Sequence, residues 1–361
     1  MPTLADIFRA HGDEYLRLNE VRILPGQAKA MRDIVRCRSP DMEAGGIYKC
    51  PGCGQAHYAY NSCGNRHCPA CGDDKTDEWL AAQMARLLPV DYYLLTCTLP
   101  HEVNPTAYAH QRAVYGAFFK TSAEAIMELA LDRRFLGARP GMTGVLQTWR
   151  RDGEYHIHVH YLIPGGGVTP GGKSWRYPRN KDFLVAEKPL ARLLRGKFRD
   201  GMRTAGLHDQ IPPEVWRKDW VVDCLPVGDG RRCLKYLAPY IHRVALTNRR
   251  ITAMEDGNVS FQYKPSGADA WKIRTLPALR FIALFLRHVL PKGFMKVRHY
   301  GFLAPAAKET LRTLQLLVLT CESQPPQPVV KPRKQLKCPR CGEPLQLVRR
   351  FFPLPRGPPY A

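Results

Sequence analysis

Seven residues, Tyr155-His156-Ile157-His158-Val159-His160-Tyr161, constrain the fold more than any other stretch of this 361-residue chain. Successive side chains of a β-strand point to opposite faces. The pattern therefore reads as a strand with His156, His158 and His160 on one face and Ile157, Val159 and Tyr161 on the buried one. Leu162-Ile163-Pro164 closes the apolar run and Gly165-Gly166-Gly167 breaks it, as strand ends require. Neutral imidazoles are good ligands for divalent transition metals, so this strand reads as part of a metal site. The competing reading is a solvated polar face.

The chain is globular in composition, 45% hydrophobic and 24% charged, and carries a formal charge of +22. That excess argues for a polyanionic partner, most simply nucleic acid, bound in a salt-sensitive way. A membrane surface is the other option for a basic chain. The longest apolar stretch, Leu276 to Leu290, contains Arg280, Arg287 and His288, so a clean spanning helix is not expected there. Met1 to Glu14 has no basic segment followed by an apolar one, so no secretory signal is read and a cytoplasmic location is expected.

The sequence has 12 cysteines, and in a reducing compartment clustered ones bind metal more often than they pair as disulfides. Cys50-Pro-Gly-Cys53 and Cys68-Pro-Ala-Cys71 are two knuckles with the spacing of a four-cysteine zinc ribbon. Cys37, Cys63 and His67 remain for a second zinc, with His57 nearby. Cys338-Pro-Arg-Cys341 is half a ribbon. Its partner is open: Cys321 as a third ligand, or a metal shared by two chains. Lys49, Arg66, Tyr58 and Tyr60 lie around the first knuckles, a mixture suited to phosphates and stacked bases.

Periodicity suggests helices over 3–36, 74–88, 106–138 and 188–205, the last amphipathic and basic. Strands are expected at 91–99, as a pair across 143–163 turning at Arg151-Asp152-Gly153, and at 220–226. A further helix is expected over 231–245. Asp256-Gly257 signals a hairpin within 250–264. Residues 1–90 read as N-terminal helices and a zinc-binding domain, and 91–310 as a catalytic domain. Residues 311–337 read as a linker and 338–361 as a C-terminal Cys-containing tail.

Tyr236 and Tyr240 stand four residues apart in Lys235-Tyr236-Leu237-Ala238-Pro239-Tyr240-Ile241-His242-Arg243. On a helix they share a face, although Pro239 removes a backbone bond from it. A phenol can act as a covalent nucleophile, and a metal can make a phosphodiester more electrophilic. Two such tyrosines are ordinarily packing residues; what singles them out is their company of a His strand, a basic chain and zinc knuckles.

That combination resembles the HUH superfamily of single-strand DNA nucleases, and within it the rolling-circle, two-tyrosine transposases of bacterial insertion sequences with an N-terminal zinc domain. The resemblance runs nearly end to end. It rests on Ala5-Asp6-Ile7-Phe8, Tyr60-Asn61-Ser62-Cys63-Gly64-Asn65-Arg66-His67-Cys68-Pro69 and Thr98-Leu99-Pro100-His101-Glu102. It continues through His158-Val159-His160, Pro164-Gly165-Gly166-Gly167, Tyr236-Leu237-Ala238, Tyr240, His242-Arg243-Val244-Ala245 and Arg298-His299-Tyr300-Gly301.

The resemblance implies an α+β protein: an N-terminal zinc ribbon, a central antiparallel ferredoxin-like sheet of HUH type, and a tyrosine-bearing helix. It implies His158 and His160 as ligands of a catalytic Mg²⁺ or Mn²⁺, with His156 the first choice for a third ligand and His101 or Glu102 as alternatives. Mn²⁺ suits two imidazoles better than Mg²⁺, which prefers oxygen. Tyr236 and Tyr240 are the implied nucleophiles, cleaving single-stranded DNA through a 5′-phosphotyrosine and rejoining it. The expected partner is DNA at the element's ends, in the bacterial cytoplasm with the nucleoid. A replication initiator or relaxase with the same chemistry, a metallohydrolase using the three histidines, and a non-enzymatic zinc-ribbon DNA-binding protein are the competing readings.

Overall fold

The computed structural model describes residues 1–172, 174–242, 246–265, 267–319 and 335–353. In chain order its helices are α1 (Leu4–Leu18), α2 (Pro25–Arg36), α3 (Asp73–Met84), α4 (Asn104–Ala109), α5 (Gln111–Leu131), α6 (Glu187–Thr204), α7 (Arg231–His242), α8 (Ala278–Leu286) and α9 (Lys308–Leu319). The strands are β1 (Gly45–Lys49), β2 (Ala56–Tyr60), β3 (Tyr92–Thr98), β4 (Met142–Trp149), β5 (Tyr155–Pro164), β6 (Gly167–Val168), β7 (Trp175–Arg176), β8 (Val222–Pro226), β9 (Ile251–Glu255), β10 (Asn258–Tyr263), β11 (Lys272–Pro277), β12 (Val297–Tyr300) and β13 (Gln346–Phe351). Two compact units contain them. One is Met1–Lys75 with His242–Val289 and Val329–Ala361, the other Thr76–Ile241 with Leu290–Pro328. No helix of the described residues is long and apolar enough to cross a membrane.

The second unit is built on a five-stranded antiparallel sheet in the order β12-β4-β5-β3-β8. Without β12, the path β3–α5–β4–β5–α6–β8 is a βαββαβ unit, the ferredoxin-like arrangement. Helices α5 and α6 cover one face, where Ile157, Val159 and Tyr161 of β5 are fully buried with Phe118, Phe119, Leu194 and Phe198. The Tyr161 hydroxyl is satisfied there by the Ser122 Oγ at 2.6 Å, as a buried phenol requires. Gly144 lies opposite Tyr161 on β4, and a Cβ there would stand 2.7 Å from the Tyr161 ring. Only glycine lets β4 pass under that ring.

Period two sends the alternate residues of each strand to the other face. Helix α7 lies on this second face: Leu234, Leu237 and Ile241 pack with Val145 and Leu162, joined by Trp79, Leu80 and Met84 of α3. The helix runs through Pro239 to His242, so Tyr236 and Tyr240 stay one turn apart on continuous helix.

In the first unit, α1 begins at a capping box in which the Thr3 hydroxyl accepts from the Asp6 N–H at 3.2 Å and the Asp6 carboxylate from the Thr3 N–H at 2.9 Å. Residues 242–289, read from sequence as part of the catalytic domain, belong to this unit. Helix α8 is apolar on most of its circumference and needs cover on more than one side. Phe285 meets Phe8 of α1 at 5.7 Å between ring centroids. Asp256 and Gly257 both take positive φ, 48° and 72°, the conformation of a type I′ turn that joins β9 to β10. β11 adds a third strand to that hairpin.

Residues 311–319, expected as the start of a linker, are helical, because Leu311, Leu314 and Val318 recur at helical spacing and are buried. Of the rest of the expected linker, 320–334 lie outside the described residues and 335–337 within them. Of the expected tail, 354–361 lies outside them too. Its described part forms β13, which pairs antiparallel with β1, Gly45 opposite Phe351 and Lys49 opposite Gln346.

Candidate functional site

The face of β5 that meets α7 presents His156, His158 and His160 in a row. His158 and His160 are 8% exposed each, and their ring centroids lie 4.8 Å apart at 90°. On the neighbouring strands Thr96 and Val145 lie opposite His160, and Thr98 and Gln147 opposite His158. The His158 Nδ1 lies 3.2 Å from the His156 carbonyl oxygen. A carbonyl can only accept, so Nδ1 carries the proton and Nε2 keeps its lone pair. The His160 Nδ1 contacts the Thr96 hydroxyl at 2.9 Å, which likewise leaves Nε2 for another partner. Burial holds both rings neutral: it lowers the His160 pKa to about 4, and burial followed by the neighbouring imidazoles lowers that of His158 well below the usual range. Two oriented, neutral imidazoles on one strand face are what a divalent cation needs.

The sequence offers His156, His101 and Glu102 as a third ligand beside His158 and His160. Among the described residues, only two groups of three or more His, Cys, Asp or Glu bring ligand atoms within 4.8 Å of one another, and both consist of cysteines. His156 is half-buried, its ring 5.1 Å from that of His158, and the structure does not gather it into a three-imidazole cluster. Glu102 sits beyond the end of β3, with Lys218 at 2.5 Å from its carboxylate, and the His101 side chain is 81% exposed. Gln147 was missed. Its Nε2 donates to the Trp149 carbonyl at 3.1 Å across a β-bulge. Its Oε1 is buried without a hydrogen-bond partner among the described residues. Nothing local in the sequence marks this glutamine; only its register opposite His158 does.

Tyr236 is 41% exposed, and the edge of its ring meets His160, 6.4 Å between centroids at 81°. It lines a groove of about 670 Å³ with Leu94, Gly228, Asp229, Arg232 and Cys233. Arg232 lies one turn before Tyr236 on α7, so a cation and a phenol share the groove. Tyr240 follows one turn later; its side chain lies outside the described residues, as do Arg243, Val244 and Ala245. His299, to which the sequence gave no role, is held by Thr143 at 3.0 Å. Burial and then the Arg86 charge lower its pKa to about 4.

The first unit holds the cysteines in a different grouping from that read in the sequence. Cys68 and Cys71 join Cys37 and Cys63, while Cys50 and Cys53 lie with Cys338 and Cys341. Spacing alone could not choose, because the same knuckle occurs three times and the chain folds back between them. In the first group the Cys63 and Cys71 sulfurs are 3.7 Å apart and the Cys63 N–H points to the Cys37 sulfur at 3.5 Å. Hydrogen bonds from Cys63 and Cys68 hold the Cys37 thiol far below the usual range, and the Cys37 contact pushes Cys68 far above it. Such crowding of thiols is relieved by a shared cation, so four sulfurs here suit tetrahedral zinc. His67 is not among them: it is buried, and its Nε2 accepts from the Arg66 Nε at 3.3 Å.

Two families match the chain. Residues 7–99 match one described as "Transposase zinc-binding domain", and residues 141–310 one described as "Putative transposase". The chain is 32% identical to "Putative transposase y4qJ" of Sinorhizobium fredii over 99% of its own length and 97% of that protein. It is 27% identical to "Transposase for insertion sequence element IS801" of Pseudomonas savastanoi pv. phaseolicola, over 72% of its length and 65% of that protein. No solved structure matches it.

Proposed function

We propose, because the chain belongs to the insertion-sequence transposases that join a zinc-binding domain to a transposase domain, that it cleaves and rejoins single-stranded DNA with Tyr236 as its first nucleophile. The observation that carries this reading is the edge contact between Tyr236 and His160 on the face of the sheet that also bears His158.

In this reading, DNA enters the groove beside α7 and Arg232 attracts the scissile phosphate. The Tyr236 Oη attacks phosphorus and forms a phosphotyrosine with the 5′ end of the strand downstream of the break. The P–O3′ bond breaks, the phenol proton goes to solvent, and the departing 3′ oxygen takes up a proton. Attack by a 3′-hydroxyl on the phosphotyrosine restores the phenol and a phosphodiester, so the bond energy is conserved. Tyr240 is the second tyrosine of the pair and accepts a second strand.

His158 and His160 fit a divalent cation, and the buried, unpartnered Gln147 oxygen opposite His158 is the third donor in this reading. When bound, Mn²⁺ or Mg²⁺ draws charge from the scissile phosphate and stabilises the leaving oxygen. The protein's own part is to fix the His158 tautomer through the His156 carbonyl, to orient the His160 ring through Thr96, and to hold Tyr236 beside them. The first thiol group carries structural zinc and keeps the aromatic and basic residues around β1 and β2 in place for DNA. The match to a transposase along 99% of the chain favours transposition over replication initiation by the same chemistry.

The test is a cleavage assay on single-stranded oligonucleotides from the ends of the encoding element, with Mn²⁺ or Mg²⁺. The wild type should give a metal-dependent covalent adduct. Tyr236→Phe should lower adduct formation by at least about 10³-fold while DNA binding persists. An adduct undiminished in Tyr236→Phe, or none in the wild type, would overturn the assignment.

A further inference from the structure

The second thiol group joins parts of the chain that lie far apart, and it falls partly outside the stretch, 7–99, that matches the zinc-binding family. Cys50-Pro51-Gly52-Cys53-Gly54 and Cys338-Pro339-Arg340-Cys341-Gly342 carry the same pattern and fold alike. In the first, the Gly54 N–H donates to the Cys50 carbonyl and the Cys50 N–H to that of Gln55, each at 2.9 Å. In the second, Gly342 donates to Cys338 and Cys338 to Glu343, each at 2.8 Å. Both glycines take left-handed φ, 72° and 78°, which a side chain at either position would strain. Two matched knuckles thus face each other.

Their sulfurs meet. Cys50 lies 3.3 Å from Cys341 and Cys53 3.6 Å from Cys338, and all four fall within 4.8 Å. These separations exceed the roughly 2.05 Å of a disulfide. They approach the about 3.8 Å between sulfurs on a tetrahedron with 2.3 Å Zn–S bonds. The Nε2 of His57 lies 3.4 Å from the Cys338 sulfur, where a ring N–H can donate to a metal-bound thiolate, as outer partners of metal ligands do.

Apolar burial does not account for this meeting. β13 pairs with β1, yet five of its six residues are exposed, Leu347 by 45% and Val348 by 63%. A strand that buries so little gains almost nothing from the hydrophobic effect, and a two-knuckle ribbon is stable only with its metal.

We propose that Cys50, Cys53, Cys338 and Cys341 bind one Zn²⁺, distinct from the ion in the Cys37, Cys63, Cys68 and Cys71 group. The two halves of this ribbon come from positions 288 residues apart (338 − 50). The ion clasps the C-terminal segment to the N-terminal unit, completing the sheet β13-β1-β2. Thiol protons are released on binding, so the site weakens in acid.

The experiment uses the full-length chain purified with its zinc. Native mass measurement should count two Zn²⁺ per chain. Cys50, Cys53, Cys338 and Cys341 should resist alkylation together and become reactive together as a chelator removes the metal. The double variant Cys338→Ser/Cys341→Ser should retain one Zn²⁺ and lose protection at Cys50 and Cys53, with Cys37, Cys63, Cys68 and Cys71 still protected. One Zn²⁺ in the wild type would overturn the proposal. So would rapid alkylation of Cys338 and Cys341 while Cys50 and Cys53 stay protected. The count and the alkylation pattern need no variant to fold, and neither depends on tyrosine chemistry.

Discussion

Gln147 has two opposed effects, and their opposition makes its role measurable. A buried carboxamide oxygen without a partner costs about 1–3 kcal/mol of desolvation. Gln147→Leu should therefore leave the metal-free protein as stable as the wild type or more so, in spite of the lost Trp149 contact. The same change should weaken Mn²⁺ binding by about 10- to 100-fold in a direct titration. Equal Mn²⁺ affinity in the two proteins would remove Gln147 from the site. His299 gives a second residue-level test, through pH. Its folded pKa of about 4 lies below the ordinary histidine value of about 6.5, so the unfolded chain takes up its proton first as pH falls. Its neutral form thus supports the fold fully above pH 6.5, and that support is lost as pH drops toward 4. After discounting for partial exposure, about 1 kcal/mol should disappear between roughly pH 7 and pH 5. Denaturant titrations of His299→Gln should show a smaller loss over that range; an equal loss would mean that His299 does not carry it.

At the scale of elements, α7 holds its shape against its own composition. Pro239 sits inside the helix, where it lacks the N–H that would bond one turn back; a helix-interior proline costs up to about 3 kcal/mol. Packing of Leu234, Leu237 and Ile241 on the sheet compensates. Pro239→Ala should accordingly raise the stability of this unit by about 1–2 kcal/mol, seen as a higher denaturation midpoint, and leave adduct formation by Tyr236 intact. A lower midpoint would mean that the proline fits a local geometry alanine does not. The elements that sequence reading located best are those whose period carries a physical demand: β5 with its two unlike faces, the amphipathic α6, and the Asp256-Gly257 hairpin. The pairing of knuckles was not legible, because Cys-Pro-x-Cys-Gly looks the same at 50, 68 and 338 and only folding decides which two meet. Gln147 was hidden for the same reason: its significance lies in register across β4 and β5, which no local pattern encodes. The antiparallel ferredoxin-like sheet came from the resemblance, and its strand order then put α7 and the histidines on one face.

For the molecule as a whole, charge decides how it meets DNA. A formal charge of +22 is far more than the active site needs, and α6 alone exposes Lys188, Arg192, Lys197 and Arg203 in part or in full. Lys197 and Arg203 pair with Glu128 and Asp200, but Lys and Arg outnumber Asp and Glu by 54 to 32, so many cations of the chain have no carboxylate to neutralise them. Affinity for single strands should then come mainly from counterion release, with sequence preference confined to a few groups near the groove and the aromatic residues of β1 and β2. Each neutralised phosphate contributes about −0.7 to the slope of log K against log salt on single strands. A footprint of six or more phosphates predicts a slope steeper than about −4, nearly unchanged in Tyr236→Phe because that variant removes no cation. Fluorescence anisotropy of a labelled oligonucleotide across a salt series measures it. A shallow slope of about −1 would mean that the basic surface does not track the strand, and that binding rests on a few contacts at the groove alone.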